Sequence, residues 1–207
     1  MLLSERPSVR VLTLAELAGR VRDLPVRAGA CRVVAVDGRA GAGKSTLALR
    51  LATLLPAPVL SMDDLYPGWD GLAAAVPALV GEVLEPLAAG RPAVHRRWDW
   101  AADRWGNPVA LPWHPFLVVE GVGSGARLAA PYLALLVWVE APDDVRKERA
   151  LARDGDVFRP YWDRWALQEE ALLAAERTRG RADVVVDTTA RLPYDPETEV
   201  VVRGPGG

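Results

Sequence analysis

Residues Gly38-Arg39-Ala40-Gly41-Ala42-Gly43-Lys44-Ser45 form the pattern G-x-x-x-x-G-K-[ST], whose residue types suit the phosphates of a nucleotide. Glycines let successive backbone N–H groups curl around a phosphate. A lysine reaches the β/γ oxygens, and a hydroxyl meets Mg²⁺ at the positive end of a helix. The candidate nucleotide-binding set is therefore Gly38, Ala40, Gly41, Ala42, Gly43, Lys44, Ser45 and Thr46, with Ser45 also a metal ligand. The chain holds only two lysines, Lys44 and Lys147, so a lysine at this position is not a by-product of composition.

Further acids follow two apolar runs. Ser61-Met62-Asp63-Asp64-Leu65-Tyr66 places a pair of carboxylates and a phenol just after Val59-Leu60. A carboxylate there can accept the proton of a hydroxyl that attacks phosphorus, or help hold Mg²⁺ through water; Asp63 is the better placed because it comes first. Asp-Asp pairs also occur in solvated helix caps. Val118-Val119-Glu120-Gly121 repeats the arrangement, with Glu120 in position to orient the water shell of a metal and Gly121 letting the chain turn close to phosphates. The alternative for Glu120 is an ordinary acid at a strand end. Arg146, Arg149 and Arg153 recur at i, i+3 and i+7, one face of a helix, with Arg159, Arg177, Arg179 and Arg181 beyond. Such a face suits a lid that neutralises charge on a transferring phosphoryl group and excludes water, or, more plainly, pairing with Asp143, Asp144 and Glu148.

These residues need a scaffold that brings strand ends together. Apolar runs at Val33–Val36, Val59–Leu60, Phe116–Val119, Leu133–Val139 and Val184–Val186 alternate with helical patterns at about 71–89, 143–153 and 162–179. Continuous Val/Leu runs of this kind belong to strands buried on both faces, hence to a parallel sheet in an α/β sandwich, where ligands bind beyond the carboxyl ends of the strands. The fold class is thus α/β, a three-layer P-loop NTPase sandwich, in one domain over 1–207. Thr13-x-x-Glu16 is a capping box and opens a helix within 12–24 ahead of the first strand. The segment 95–113, rich in Trp and Arg with Gly106-Asn107-Pro108 at a turn, reads as a hairpin insertion. Residues 146–181 make the lid and a C-terminal helix, and 204–207 a disordered tail.

Composition narrows the partners. Of 207 residues 25 are Lys or Arg and 27 Asp or Glu, for a net charge of -2, so no electrostatic footprint for a polynucleotide exists. No apolar run is long enough to span a membrane, and Met1-Leu2-Leu3 is cut short by Ser4-Glu5-Arg6-Pro7 before it could form a signal peptide; a cytoplasmic location is expected. The lone Cys31 fits a packing role at the start of a strand. The only asparagine, Asn107, precedes Pro108, which excludes the N-K-x-D guanine signature of switch GTPases. Oligomeric state is not legible.

Taken in order, Gly38 to Thr46, Ser61-x-Asp63-x-x-Tyr66, Trp98-Asp99-Trp100, Glu120-Gly121, Arg146-x-x-Arg149-x-x-x-Arg153-Asp154 and Arg181-Ala182-Asp183-Val184 resemble the uridine/cytidine kinase family of P-loop kinases, from about Arg32 to Asp187. The resemblance implies Asp63 as catalytic base, Tyr66 touching the acceptor nucleoside, Glu120 at the metal site, and Arg149 and Arg153 as lid arginines. It implies that Trp98 and Trp100 wall the pyrimidine, where the family has Tyr-Asp-Phe. Asp103 stands where the family has a base-reading histidine, a substitution that bears on which acceptor fits. The expected activity is transfer of the γ-phosphoryl group of ATP, with Mg²⁺, to a hydroxyl of a small molecule: a nucleoside first, otherwise another metabolite alcohol such as a sugar, vitamin precursor or antibiotic. Two acids at the acceptor mouth disfavour an acceptor already phosphorylated. A regulatory P-loop ATPase without an acceptor is the reading from a different class.

Overall fold

The structure, a computed structural model, describes residues 9–204. Apart from Gly204, the tail expected at 204–207 lies outside the described residues, as does Met1 to Ser8. The chain runs β1 (Val9–Thr13), α1 (Leu14–Asp23), β2 (Arg32–Asp37), α2 (Lys44–Leu54), β3 (Val59–Ser61), α3 (Leu72–Ala78), α4 (Glu85–Ala88), β4 (Ala93–Asp99), β5 (Arg104–Leu111), β6 (Phe116–Glu120), β7 (Leu133–Glu140), α5 (Asp143–Phe158), α6 (Trp162–Glu176), α7 (Thr178–Arg181), β8 (Val184–Asp187) and β9 (Glu199–Arg203). Among the described residues the main sheet has seven strands in the order β1-β9-β8-β7-β2-β6-β3. Its β3, β6, β2, β7 and β8 run parallel, while β9 pairs antiparallel with β8 and with β1.

The strand sequences explain the layers. Successive side chains of a strand point to opposite faces, so Val33 and Ala35 of β2 and Leu117 and Val119 of β6 join one buried cluster, with α3, α4 and the aromatics of α6. Val34, Val36 and Val118 join the other, where Leu17 and Val21 of α1 meet Leu47 and Leu51 of α2. Both faces are dry, hence the unbroken Val/Leu runs. The three-layer α/β sandwich expected from the sequence is therefore present, with a mixed rather than wholly parallel sheet.

Three details depart from the sequence reading. Strands β1 and β9 extend the sheet on the β8 side; α1 consequently follows a strand instead of opening the fold, although its capping box forms as expected, Thr13 and Glu16 each bonding the other's backbone. The helix expected over 71–89 is interrupted by a π-helical stretch at Leu79–Leu84, flanked by Pro77 and Pro86, neither of which can donate a backbone N–H. The insertion is the expected hairpin, β4 against β5, but it turns at 100–103; Gly106, Asn107 and Pro108, expected at the turn, lie inside β5, where an extra residue shifts the register between Arg96 and Trp98. Cys31 packs in the core, and burial pushes its thiol up to about 11.

Candidate active site

Strand β2 ends in Asp37 and hands the chain to the glycine loop. Gly38, Gly41 and Gly43 all have positive φ, and a Cβ on Gly38 or Gly41 would lie 2.2 Å from the Val139 carbonyl oxygen or 2.0 Å from that of Arg146. These glycines are required by close backbone approach as well as by dihedral angle. Helix α2 begins at Lys44 directly after Gly43, so its free N–H groups face the loop. Lys44 is buried and its Nζ donates to the Arg39 carbonyl at 2.9 Å, folding back over the loop.

Two groups that sequence reasoning passed over hold this loop in place. Asp37 is fully buried and accepts from the backbone N–H groups of Gly38 (2.7 Å), Gly125 (2.9 Å) and Gly123 (3.1 Å), tying the loop to the segment after β6. Burial pushes its carboxyl up to about 6 against the pull of those three donors and of Lys44. Its signal was available, an acid between an apolar strand and the first glycine. Glu169 of α6 accepts the Ala40 N–H at 2.6 Å and the Trp165 indole N–H at 3.1 Å, while the buried Arg146 of α5 donates to the Ala40 carbonyl at 2.9 Å and to Asp143 at 2.6 Å. Arg146 is thus a clamp on the loop rather than a free lid cation.

Glu120 at the end of β6 bridges the loop and the next strand. Its carboxylate accepts from the Ser45 hydroxyl at 3.2 Å and the Ser61 hydroxyl at 2.8 Å, which sets the Ser45 oxygen at the mouth of α2. Ser61 also caps the short turn carrying Asp63, accepting from its backbone N–H at 3.3 Å. The Asp63 carboxylate stays open to solvent on the cavity side while protein surrounds it elsewhere. The protein packed around it and the Glu120 charge push it up to about 6, against Lys44 and Arg153. Asp64 turns away to Arg97 at 3.0 Å on the hairpin.

One cavity of about 530 Å³ joins these parts, running from Ala40, Gly41, Lys44 and Ser45 past Asp63 and Glu120 to a wall of Tyr66, Trp69, Trp100, Phe158 and Trp165. Trp69 stacks on Tyr161 (4.3 Å between ring centroids, 6° between planes) and on Phe158 (5.5 Å, 13°), so the wall is assembled from the turn after β3 and the α5–α6 segment together. Arg153 lines this cavity, bonded through Nε and Nη2 to Asp154. Arg149 faces the other side of the loop, in a recess with Gly43, Lys44, Ser45 and Thr46, and donates to the Thr188 hydroxyl at 2.9 Å. Next to it a groove of about 250 Å³ runs along Gly43, Thr46, Arg149, Thr188 and Tyr194.

The site residues expected from the sequence thus separate into two groups. The loop residues, Asp63, Tyr66, Trp100, Glu120 and Arg153 line or border one cavity, with Arg149 just across the loop. Trp98 and Asp103 do not line it: Trp98 packs edge-on against Trp105 at 5.1 Å, and both approach Gly68 from behind the aromatic wall. Trp98 is held by pairing across the hairpin with Trp105, and Asp103 sits in the turn between the two strands at a positive φ of 49°, which keeps both away from the cavity. Trp69 and Phe158, not singled out in the sequence, supply the wall instead. Tyr66 is wholly buried and its hydroxyl donates to the Val122 carbonyl at 2.9 Å, so it offers its ring alone.

No family model matches the sequence, and the search of curated proteins finds no match. Solved structures do match. A possible uridine kinase from Bacillus stearothermophilus superposes with a TM-score of 0.60 at 22% identity, over 83% of this chain and 96% of that one. A candidate fructose transport system kinase from Silicibacter sp. TM1040 gives a TM-score of 0.54, also at 22% identity, over 89% and 98%. The chain therefore has the fold of the P-loop kinases that its motifs resemble. Among the described residues no helix is long and apolar enough to cross a membrane.

Proposed function

We propose that the protein is an ATP-dependent phosphotransferase that moves the γ-phosphoryl group to a hydroxyl of a small, unphosphorylated molecule. The observation that carries this reading is the carboxylate of Asp63, which has no side-chain hydrogen bond and opens into a cavity whose one end is the phosphate loop and whose other end is a ready-made aromatic wall. Asp63 takes the proton of the acceptor hydroxyl as its oxygen bonds to phosphorus and the bond to the departing ADP oxygen breaks. Lys44, the loop amides and Arg153 offset the negative charge on the equatorial oxygens.

The donor set also suits Mg²⁺. Among the described residues no group of three or more His, Cys, Asp or Glu side chains could by itself hold a metal ion, which fits an ion carried by a nucleotide and completed by one hydroxyl. Ser45, backed by Glu120, would hold it, and the metal would supply neutralisation of phosphate charge. The groove along Thr46, Arg149, Thr188 and Tyr194 would take the rest of the nucleotide.

Motif resemblance favours a pyrimidine nucleoside as acceptor. The positions of Trp98 and Asp103 outside the cavity favour the second reading, another metabolite alcohol, because two of the four residues that would meet a nucleoside, Trp98 and Asp103, are not there beside Tyr66 and Trp100. A regulatory ATPase has no use for the aromatic end of the cavity. Release of ADP measured with and without a panel of nucleosides and other alcohols, with mass detection of the phosphorylated product, tests the reading. Mg²⁺- and acceptor-dependent release is expected; release indifferent to every alcohol would turn it into an ATPase.

A further inference from the structure

Three side chains from one short stretch of the hairpin reach the turn that carries Asp63. Strand β4 projects His95 and Arg97, two residues apart, from the same face, and Trp100 follows in the hairpin turn. Arg97 Nε lies 3.0 Å from Asp64 Oδ1, and His95 Nε2 3.8 Å from Asp64 Oδ2. His95 is buried with neither ring nitrogen hydrogen-bonded, so Arg97 makes the close contact of the two. The Trp100 indole N–H donates to the Asp63 carbonyl at 3.0 Å. Burial works against the Asp64 carboxylate, yet His95 and Arg97 hold its pKa below the ordinary aspartate value, so it stays an anion facing them. The base of the hairpin is itself fixed: Ala93 packs in the core, and Glu82 accepts the Arg96 N–H at 3.1 Å.

The Asp63 carboxylate has no hydrogen bond of its own, so its place depends on how the turn is held. Upstream, Met62 is buried and the Ser61 hydroxyl accepts the Asp63 N–H at 3.3 Å. Downstream, the Asp63 carbonyl and the Asp64 side chain are held by the hairpin. Resting on the kinase reading above, we infer that Arg97 and Asp64 form a positioning pair that, together with the Trp100 bond, sets where Asp63 meets the acceptor hydroxyl. Neither Arg97 nor Asp64 lines the cavity, so neither acts by touching the acceptor. The Arg97 side chain is 61% exposed, and an exposed ion pair contributes little to stability. A general base displaced by about 1 Å, in contrast, costs a factor of about 10² in rate. The pair therefore matters for turnover far more than for folding.

The test measures kcat, both KM values and the melting temperature of Arg97→Ala, Asp64→Asn, the double variant and Arg97→Lys, with uridine, cytidine and fructose as acceptors, reading ADP release and the mass of the product. Each single variant is expected to lower kcat about tenfold, with the ATP KM within about twofold and the melting temperature near that of the parent. The double variant should be no slower than the slower single one, because two residues acting as a unit are lost once. Arg97→Lys, which keeps a cation in reach of one carboxylate oxygen, should recover most of the loss. The loss should persist at about pH 8, where Asp63 is ionised in parent and variants alike. An unchanged kcat, additive losses in the double variant, or a melting temperature that falls along with kcat overturns the inference. So does a loss that vanishes at about pH 8, which would make the pair act on the charge of Asp63 and not on its place. All of these leave the kinase reading standing. A parent protein that binds ATP and phosphorylates no alcohol overturns that reading and the inference with it.

Discussion

Glu169 accepts the backbone N–H of Ala40 at 2.6 Å across 129 positions of sequence, so helix α6 holds the crown of the glycine loop through one hydrogen bond. Arg146 takes the carbonyl of the same residue. Both side chains are buried, so α5 and α6 are tied to the glycine loop through one residue.

Removing that acceptor is expected to cost more than one hydrogen bond. Glu169→Ala leaves the Ala40 N–H and the Trp165 indole N–H without a partner and Arg146 with less counter-charge, for about 2–3 kcal/mol of stability. Glu169→Gln keeps the shape and an acceptor oxygen and should lose less. Urea unfolding of both variants checks the ordering. A looser loop should also raise the ATP KM in the alanine variant.

Lys44→Ala should leave the fold intact and abolish phosphate binding. The side chain makes a single hydrogen bond to the Arg39 carbonyl, an interaction water can replace, whereas in the proposed reading its ammonium is the loop's one full positive charge set against the β/γ oxygens. Isothermal titration with ATP, alongside a thermal melt near that of the parent, is the measurement. ATP affinity within about twofold of the parent would contradict the role given to the loop.

Much of the site was legible because its residues are tied to backbone geometry or to strand ends. Gly38, Gly41 and Gly43 announce themselves where only glycine allows the approach to Val139 and Arg146, and Glu120 follows a run of residues that only a strand buried on both faces would carry. What stayed hidden depends on distant pairing. The β1–β9 ladder joins Val9 to Arg203, and its short segments mix arginine and glutamate with valine as an edge pair does, leaving no local signature. Trp69 acquires its place only by stacking on Tyr161, far along the chain. The resemblance put Trp98 and Asp103 at the cavity; the cross-strand pairing of Trp98 with Trp105 and the place of Asp103 in the hairpin turn, neither visible in the spacing, hold them away.

Asp37 is expected to be a structural anchor without a chemical role. Asp37→Ala would leave the buried N–H groups of Gly38, Gly123 and Gly125 unpaired, lowering stability by about 3 kcal/mol or more, while Asp37→Asn keeps one acceptor and should fall between. Thermal and urea unfolding give the comparison. Should the alanine variant match the parent in stability while losing turnover, Asp37 would have to be given a part in the chemistry.

The pH dependence of turnover separates Asp63 from every other acid in the cavity. A general base works only when deprotonated, so raising its pKa moves the loss of activity to higher pH: with Asp63 at about 6, kcat/KM should fall as pH drops through that value, well above the ordinary aspartate range. The shift comes from the protein packed around the carboxyl and the nearby Glu120 charge, so Glu120→Gln should move the acid limb to lower pH while weakening the metal site it would support. Asp63→Asn retains the shape and the backbone contact with Trp100 but cannot take a proton; kcat should drop by about 10²-fold or more, with ATP affinity little changed. Asp37 also lies at about 6, yet its protonation would loosen the loop and so alter ATP affinity, which Asp63 should not. Steady-state profiles of kcat/KM and of ATP binding from pH 5 to 8 therefore distinguish the two. An acid limb that persists unchanged in Asp63→Asn, with kcat near that of the parent, would remove Asp63 from the proton transfer.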